Sequence, residues 1–224
     1  MSMPAKPIPK SKFKILVVDD HPIVRQGFAQ LIQSECDMEL FGEAADSDQA
    51  MAALTKSMPD FAIVDISLRR SNGIDLIKRM LAVNPKLPIL VVSMYEEGLY
   101  IERILRAGAK GYLMKQEATL KVIEAIRKIL SGEIYVSEKM SEVLLHRFVA
   151  GRDPNLSPVE KLSDRELEVM QLVGQGRGTR QIADQLHLSF KTVESHYAKI
   201  KEKLNLRTAN ELIQYAVKWF QSKT

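Results

Sequence analysis

Five polar residues stand at the ends of short apolar runs in this 224-residue chain, and their types suit phosphoryl chemistry. Ile15-Leu16-Val17-Val18 runs into Asp19 and Asp20, Phe61-Ala62-Ile63-Val64 into Asp65, Ile89-Leu90-Val91-Val92 into Ser93, and Tyr112-Leu113-Met114 into Lys115. Three carboxylates gathered in one place repel each other until a hard divalent cation joins them. Mg²⁺ is the ion that favours one or two carboxylates completed by water and phosphate oxygens. With charge on the phosphoryl oxygens neutralised, one carboxylate can act as nucleophile toward a phosphoryl donor. Asp65, alone at the centre, is the candidate nucleophile, with the Lys115 ammonium and the Ser93 hydroxyl placed to hold phosphoryl oxygens. Such a transfer needs positioning and charge neutralisation more than covalent machinery, so this short set suffices. Taken singly, each residue reads as a cap for the helix after its strand. Together, at spacings of 46, 28 and 22 residues from Asp19 onward, they read as one shared edge.

The elements that must position them follow from the same runs. Short, nearly continuous apolar segments are buried parallel strands, and in an open α/β sheet the ligand site lies outside their carboxyl ends. Between the runs the pattern turns amphipathic. Ile23, Val24, Phe28, Leu31 and Ile32 recur at helical spacing after Asp20. Residues 38–42 predict a further strand, and helices are expected at about 48–56, 73–83, 98–107 and 120–130. The result is an α/β domain over residues 13–135 with five strands and five helices, in the flavodoxin-like order 2-1-3-4-5. Residues 136–158 read as a linker with a helix near 138–149. It ends in Gly151-Arg152-Asp153-Pro154-Asn155-Leu156-Ser157-Pro158, which cannot extend a helix. Residues 159–224 show short helices without strand signals. Ser163-Asp164-Arg165-Glu166 is a capping box, and Thr208-Ala209-Asn210-Glu211 repeats it. A helix over 179–186, a short break, and Ser189 as N-cap for a helix over 190–204 give helix-turn-helix spacing. Gly174, Gly176 and Gly178 form no dinucleotide-binding fingerprint and read as helix-ending and turn glycines.

Bulk properties narrow the class. The length fits two domains, and 46% apolar with 27% charged residues indicates a soluble globular chain. No apolar run approaches the roughly 20 residues of a membrane span. Residues 1–12 carry three lysines and three prolines without the apolar core of a signal peptide, so a disordered tail is expected. The single cysteine, Cys36, excludes an intramolecular disulfide and fits a reducing cytoplasm. Charge is unevenly divided: residues 13–156 hold 18 basic and 20 acidic groups, whereas 189–207 hold five and two. The second helix of the pair therefore suits a polyanion partner.

The sequence Val17-Val18-Asp19-Asp20-His21-Pro22, the isolated Asp65, Ser93 and Gly111-Tyr112-Leu113-Met114-Lys115 together resemble the receiver domain of bacterial two-component response regulators, over about 13–130. The resemblance implies Asp65 as phosphoacceptor, and Asp19, Asp20 and Asp65 with the Ser67 carbonyl as the Mg²⁺ set. It implies Ser93 as switch hydroxyl, Tyr112 as the aromatic that follows it, and Lys115 as phosphoryl partner. One departure stands out. The family often has Met-Pro three and four residues after the phosphoacceptor, and here Leu68 and Arg69 occupy those positions, followed by Arg70. Without the proline the loop is less pre-set. His21 reads as a helix-start residue.

Residues 162–169, Gln181-Ile182-Ala183 and 188–196 resemble the four-helix DNA-binding domain of the NarL/LuxR type, over about 159–220. The 190–204 helix would lie in the major groove with its first turns toward the base edges. Val193, Ile200 and Leu204 form its inner stripe against Ile182, Ala183 and Leu186. Lys191, Glu194, Ser195 and Ala198 face the bases, while Thr192, His196 and Lys199 suit phosphate contacts. Lys201, Lys203 and Arg207 supply general electrostatics. Glu194 either accepts from cytosine N4 or pairs with Lys191 or Lys201. Leu212, Ile213, Ala216, Val217 and Phe220 make an apolar stripe on the last helix, of which Val217 and Phe220 are available to a second copy.

Both resemblances imply a phosphorylation-dependent transcription regulator of the NarL/FixJ type. Its expected partners are a sensor histidine kinase or phosphotransfer protein and double-stranded promoter DNA, with homodimerisation on phosphorylation or DNA binding and no membrane. It is expected to be no enzyme beyond its own phosphorylation and dephosphorylation. A receiver switched by a ligand or partner protein instead of phosphorylation is disfavoured by the complete acidic set. A haloacid-dehalogenase-type phosphatase would carry a second Asp two residues after the nucleophile, where this chain has Ser67.

Overall fold

A computed structural model describes residues 11–68, 72–94, 97–150 and 158–222. Most of the expected tail, the Arg69-Arg70 stretch and residues 151–157 of the expected linker lie outside the described residues. The chain divides into two units, Met1–His146 and Arg147–Thr224.

The first unit is built on β1 (Phe13–Val18), β2 (Met38–Ala44), β3 (Phe61–Val64), β4 (Ile89–Ser93) and β5 (Gly111–Met114). They form one parallel sheet in the order β2-β1-β3-β4-β5, as the sequence predicts. Every residue of β3 and β4 is buried, because helices cover both faces of the sheet's interior strands. These helices are α1 (Pro22–Gln33), α2 (Ser47–Lys56), α3 (Gly73–Val83), α4 (Glu97–Arg106) and α5 (Lys115–Leu130). Register brings the strand ends level: Val18 pairs with Val64, and Val64 with Val91. Asp19 and Asp65 thus emerge side by side. Asp46 and Asn72 cap α2 and α3 by accepting the backbone N–H of Gln49 and Ile74.

Three local expectations are corrected. β2 runs on to Ala44, and its register against β1 shifts between Ile15 and Leu16. Within α1, Phe28 and Ile32 are buried but Ile23 is 80% exposed, so the apolar stripe begins at Val24. α5 starts at Lys115 rather than near 120, because the extended Met114 serves as both last strand residue and N-cap. The chain after α5 then returns to the sheet. The Tyr112 N–H donates to the Tyr135 carbonyl at 2.8 Å, and the Tyr135 N–H donates to the Lys110 carbonyl at 2.9 Å. Gly111 permits this bridge, since a Cβ there would come within 2.8 Å of the Tyr135 oxygen. The helix α6 (Glu138–Ala150) follows.

The second unit has a 3₁₀ turn at Pro158–Lys161, then α7 (Asp164–Gly174), α8 (Thr179–Gln185), α9 (Phe190–Leu204) and α10 (Ala209–Gln221). Its core includes Val169, Leu172, Ile182, Val193, Ile200 and Leu212. The Ser163 capping box is complete: Ser163 Oγ accepts the Glu166 N–H, and Glu166 Oε2 accepts the Ser163 N–H. At Thr208 only half of the expected box forms. Thr208 Oγ1 accepts the Glu211 N–H, but the Glu211 carboxylate takes the Arg207 N–H instead. Gly174 lets α7 and α10 approach, because a Cβ there would lie 2.7 Å from the Ala216 oxygen. Gly176 takes the left-handed turn after α7 at φ +80°. No helix among the described residues is long and apolar enough to cross a membrane.

Candidate functional site

Asp19, Asp20 and Asp65 are all buried at the carboxyl edge of the sheet. One ligand atom from each, together with one from His21, lie within 4.8 Å of one another. Lys115 reaches in from the start of α5. Its Nζ stands 2.6 Å from Asp19 Oδ2 and 2.8 Å from Asp65 Oδ2. Burial pushes the Asp65 carboxyl up to about 6, and Asp19 adds to the rise against the pull of Lys115 and the Ser67 N–H. Burial alone would lower Lys115, yet Asp65 and Asp19 outweigh it and hold its ammonium above the ordinary value. The Lys115 ammonium thus pairs with two of the three buried carboxylates, Asp19 and Asp65. The hard oxygen donors and their excess negative charge fit a divalent cation of the Mg²⁺ kind.

The rest of the first site is held by backbone. The Ser67 N–H donates to Asp65 Oδ1 at 3.1 Å. Gly73, at the start of α3, packs directly behind Asp65, where a Cβ would fall 2.1 Å from the Asp65 carbonyl oxygen. Its own N–H donates to the Ile66 carbonyl at 2.7 Å. Sequence reasoning read Gly73 only as a helix start, since a collision between distant backbones leaves no periodic signal. His21 is the N-cap of α1, as expected, but it also faces the acids: its Nδ1 lies 3.2 Å from Asp19 Oδ1 and 2.8 Å from Asp20 Oδ1. Arg25 donates to the Asp19 carbonyl at 2.6 Å. Ser93 is fully buried at the end of β4, and Tyr112 is buried on β5, opposite Val91 and two positions from the Ser93 register. Leu68 is buried as well, while its neighbour Arg69 lies outside the described residues.

On α9 the inner stripe is as read: Val193, Ile200 and Leu204 are buried, as are Ile182, Ala183 and Leu186. Lys191, Glu194, Ser195, Ala198 and Lys199 are exposed along the opposite side, whereas Thr192 and His196 are half-buried. Thr192 Oγ1 lies 2.7 Å from Ser189 Oγ and so completes the N-cap. The His196 Nδ1 is buried without a hydrogen-bond partner among the described residues. Burial, then the Arg165 and Lys199 charges, hold this imidazole below its ordinary pKa, against Glu166. Lys203 differs from a free surface charge, because its Nζ donates to Glu166 Oε2 at 2.6 Å. Burial pushes Glu166 up, but Lys203 and the Ser163 N–H hold its carboxyl below the usual value.

Sequence reasoning missed a second clamp. The Arg165 guanidinium donates to Glu168 Oε2 at 2.6 Å and to the Leu186 carbonyl at 2.7 Å, tying α7 to the end of α8. Its signal was a run of charges at 164–168 on a helix whose neighbouring positions are core. On α10, Leu212 and Ala216 are buried, Val217 and Phe220 are half-buried, and Phe220 lies against Gly174.

The chain matches the response regulator receiver domain over residues 15–127, and the family described as bacterial regulatory proteins, luxR family, over 160–216. Oxygen regulatory protein NreC of Staphylococcus carnosus is 37% identical over 210 residues, covering 92% of this chain and 97% of that protein. NreC of Staphylococcus aureus (strain JH9) is 35% identical over the same shares. Among solved structures, RcsB from Salmonella enterica serovar Typhimurium, bound to promoter rprA in the presence of the phosphomimetic BeF3⁻, superposes with a TM-score of 0.60 at 26% identity. It covers 92% of this chain and 99% of that one. A LuxR-family response regulator from Aurantimonas sp. SI85-9A1 gives a TM-score of 0.57 at 29% identity, covering 62% of this chain and 99% of its own.

Proposed function

The chain belongs to the two-component response regulators that carry a LuxR-type DNA-binding module, and from that premise we propose that phosphorylation of Asp65 controls its binding to promoter DNA. The observation that carries the reading is the level edge at which buried Asp65 meets Lys115, beside Asp19 and Asp20. The phosphodonor is a sensor histidine kinase or a phosphotransfer protein. An Asp65 carboxylate oxygen attacks the phosphorus, the bond to the donor nitrogen breaks, and an acyl phosphate remains on the chain. Asp19, Asp20 and Asp65 with the Ser67 carbonyl would hold Mg²⁺, which when bound supplies neutralisation of charge on the phosphoryl oxygens. Lys115 then exchanges part of its contact with Asp65 for a phosphoryl oxygen, and the Ser93 hydroxyl donates to another. Tyr112 follows Ser93, and the domain shifts its population toward the state that dimerises and binds DNA.

The α9 side bearing Lys191, Glu194, Ser195 and Ala198 meets the base edges, with Thr192, His196 and Lys199 toward phosphates. Thr192 and Lys203 act there through the cap and the Glu166 pair that orient the helix, more than as free contacts. Support comes from RcsB, whose structure holds a promoter in the presence of a phosphomimetic. The setting is the cytoplasm, where promoter DNA and a kinase's transmitter are both within reach. The test is labelling from acetyl phosphate with Mg²⁺. The wild-type chain takes up one phosphoryl group and Asp65→Asn takes up none; wild-type-level labelling of the variant overturns the assignment.

A further inference from the structure

We propose that Phe190 determines sequence preference on the DNA-binding face by packing its ring against the C5-methyl of a thymine in the major groove. The inference rests on the DNA-binding reading above and adds to it a residue and a base. Phe190 is the first residue of α9, and it is 48% exposed. Ile213 is the other large apolar side chain exposed among the described residues of this unit. Phe190, Glu194 and Ala198 stand four residues apart, so they occupy successive turns of one row along α9. Glu194 and Ala198 are exposed too, and Lys191 and Ser195 form the adjoining exposed row. An exposed aromatic thus lies in line with the positions that face the bases, at the end of the helix that enters the groove first.

Its placement is fixed locally. The Ser189 side chain accepts the Thr192 N–H, and the two hydroxyls lie 2.7 Å apart, which holds the backbone on either side of Phe190. Helix α9 and its flanks carry a basic excess, five groups against two over residues 189–207, so a polyanion is the occupant that the surrounding charge favours. Phe190 has neither donor nor acceptor on its side chain, and only one base offers the major groove an apolar group, the thymine methyl. Preference at that position therefore goes to A·T pairs through the methyl itself.

The experiment compares binding of the full-length chain, with beryllofluoride and Mg²⁺ present as phosphoryl mimic, to an alternating poly(dA-dT) duplex and to poly(dA-dU), which lacks the methyl, at one fixed low salt concentration. Wild type is expected to bind the thymine duplex more tightly, by roughly four-fold for each methyl buried. Phe190→Ala brings the ratio to one, while Phe190→Leu, which keeps apolar surface, retains a ratio above one. Equal wild-type affinities, or a ratio unchanged in Phe190→Ala, overturn the inference and leave the DNA-binding reading standing. Failure of wild type to bind either duplex overturns that reading and this inference together.

Discussion

Lys115 pairs with Asp19 and Asp65 where three carboxylates are buried together, so the carboxyl edge of the sheet concentrates negative charge. The raised Asp65 pKa, from 3.8 to about 6, means that ionised Asp65 costs stability. Its stabilising contribution is full below the unfolded value and is lost as pH rises through about 6. Asp65→Asn is therefore expected to stabilise the first unit at pH 7 without added divalent cation, on the order of 1–3 kcal/mol. Urea denaturation of the two proteins measures it. His196 carries the opposite pH dependence. Its folded pKa lies below the ordinary 6.5, so the unfolded chain binds more protons as pH falls through 6.5, and the second unit weakens there. A thermal scan at pH 7.5 and pH 5.5 should show a drop in midpoint that His196→Gln reduces. Asp65 and Lys115 were legible from the apolar runs that end on them. The second role of His21, facing Asp19 and Asp20, was not, because a residue between an Asp pair and a helix-starting proline reads as a cap.

Elements impose their own constraints on these side chains. The α3 start packs so closely behind Asp65 that Gly73→Ala must displace backbone, not a flexible side chain. Phosphoryl uptake should fall together with a stability loss of about 1–3 kcal/mol, the range for overpacking. Acetyl phosphate labelling beside a urea curve separates this from simple unfolding, since the loss of labelling should persist where the variant is fully folded. Ser163→Ala, which removes a completed capping box, should cost the second unit about 1 kcal/mol. Strand order was legible because buried parallel strands leave a continuous apolar run and crossovers have one hand. The start of α5 was missed by five residues: Lys115 reads as a strand-terminal functional group, and it is also the first residue of the helix. The Arg165 and Glu166 clamps left only a run of charges in the sequence, with no sign of their partners. Each joins residues 21 or 37 positions apart, and only the folded helix pair brings them together.

Across the whole molecule, charge is unevenly divided along the chain, with acidic groups in slight excess over residues 13–156 and a basic excess concentrated at 189–207. DNA affinity should fall steeply with salt, and Lys199→Ala should weaken binding to all sequences alike while reducing the slope of log affinity against log salt by about one. If a phosphoryl mimic tightens DNA binding, DNA must tighten binding of the mimic by the same factor. Titrating beryllofluoride with and without saturating duplex should show that reciprocity, and equal half-saturation in both titrations would sink the coupling. The return of the chain at Tyr135 bears on a different property, the behaviour of the protein among its neighbours. By bonding to Lys110 and Tyr112, it occupies backbone groups along the outer side of β5 that would otherwise invite an extra strand from another chain. The opposite margin, β2, is interrupted by a register shift and carries the exposed Glu39 and Glu43. Both margins of the sheet are thus blunted against fibril-like growth.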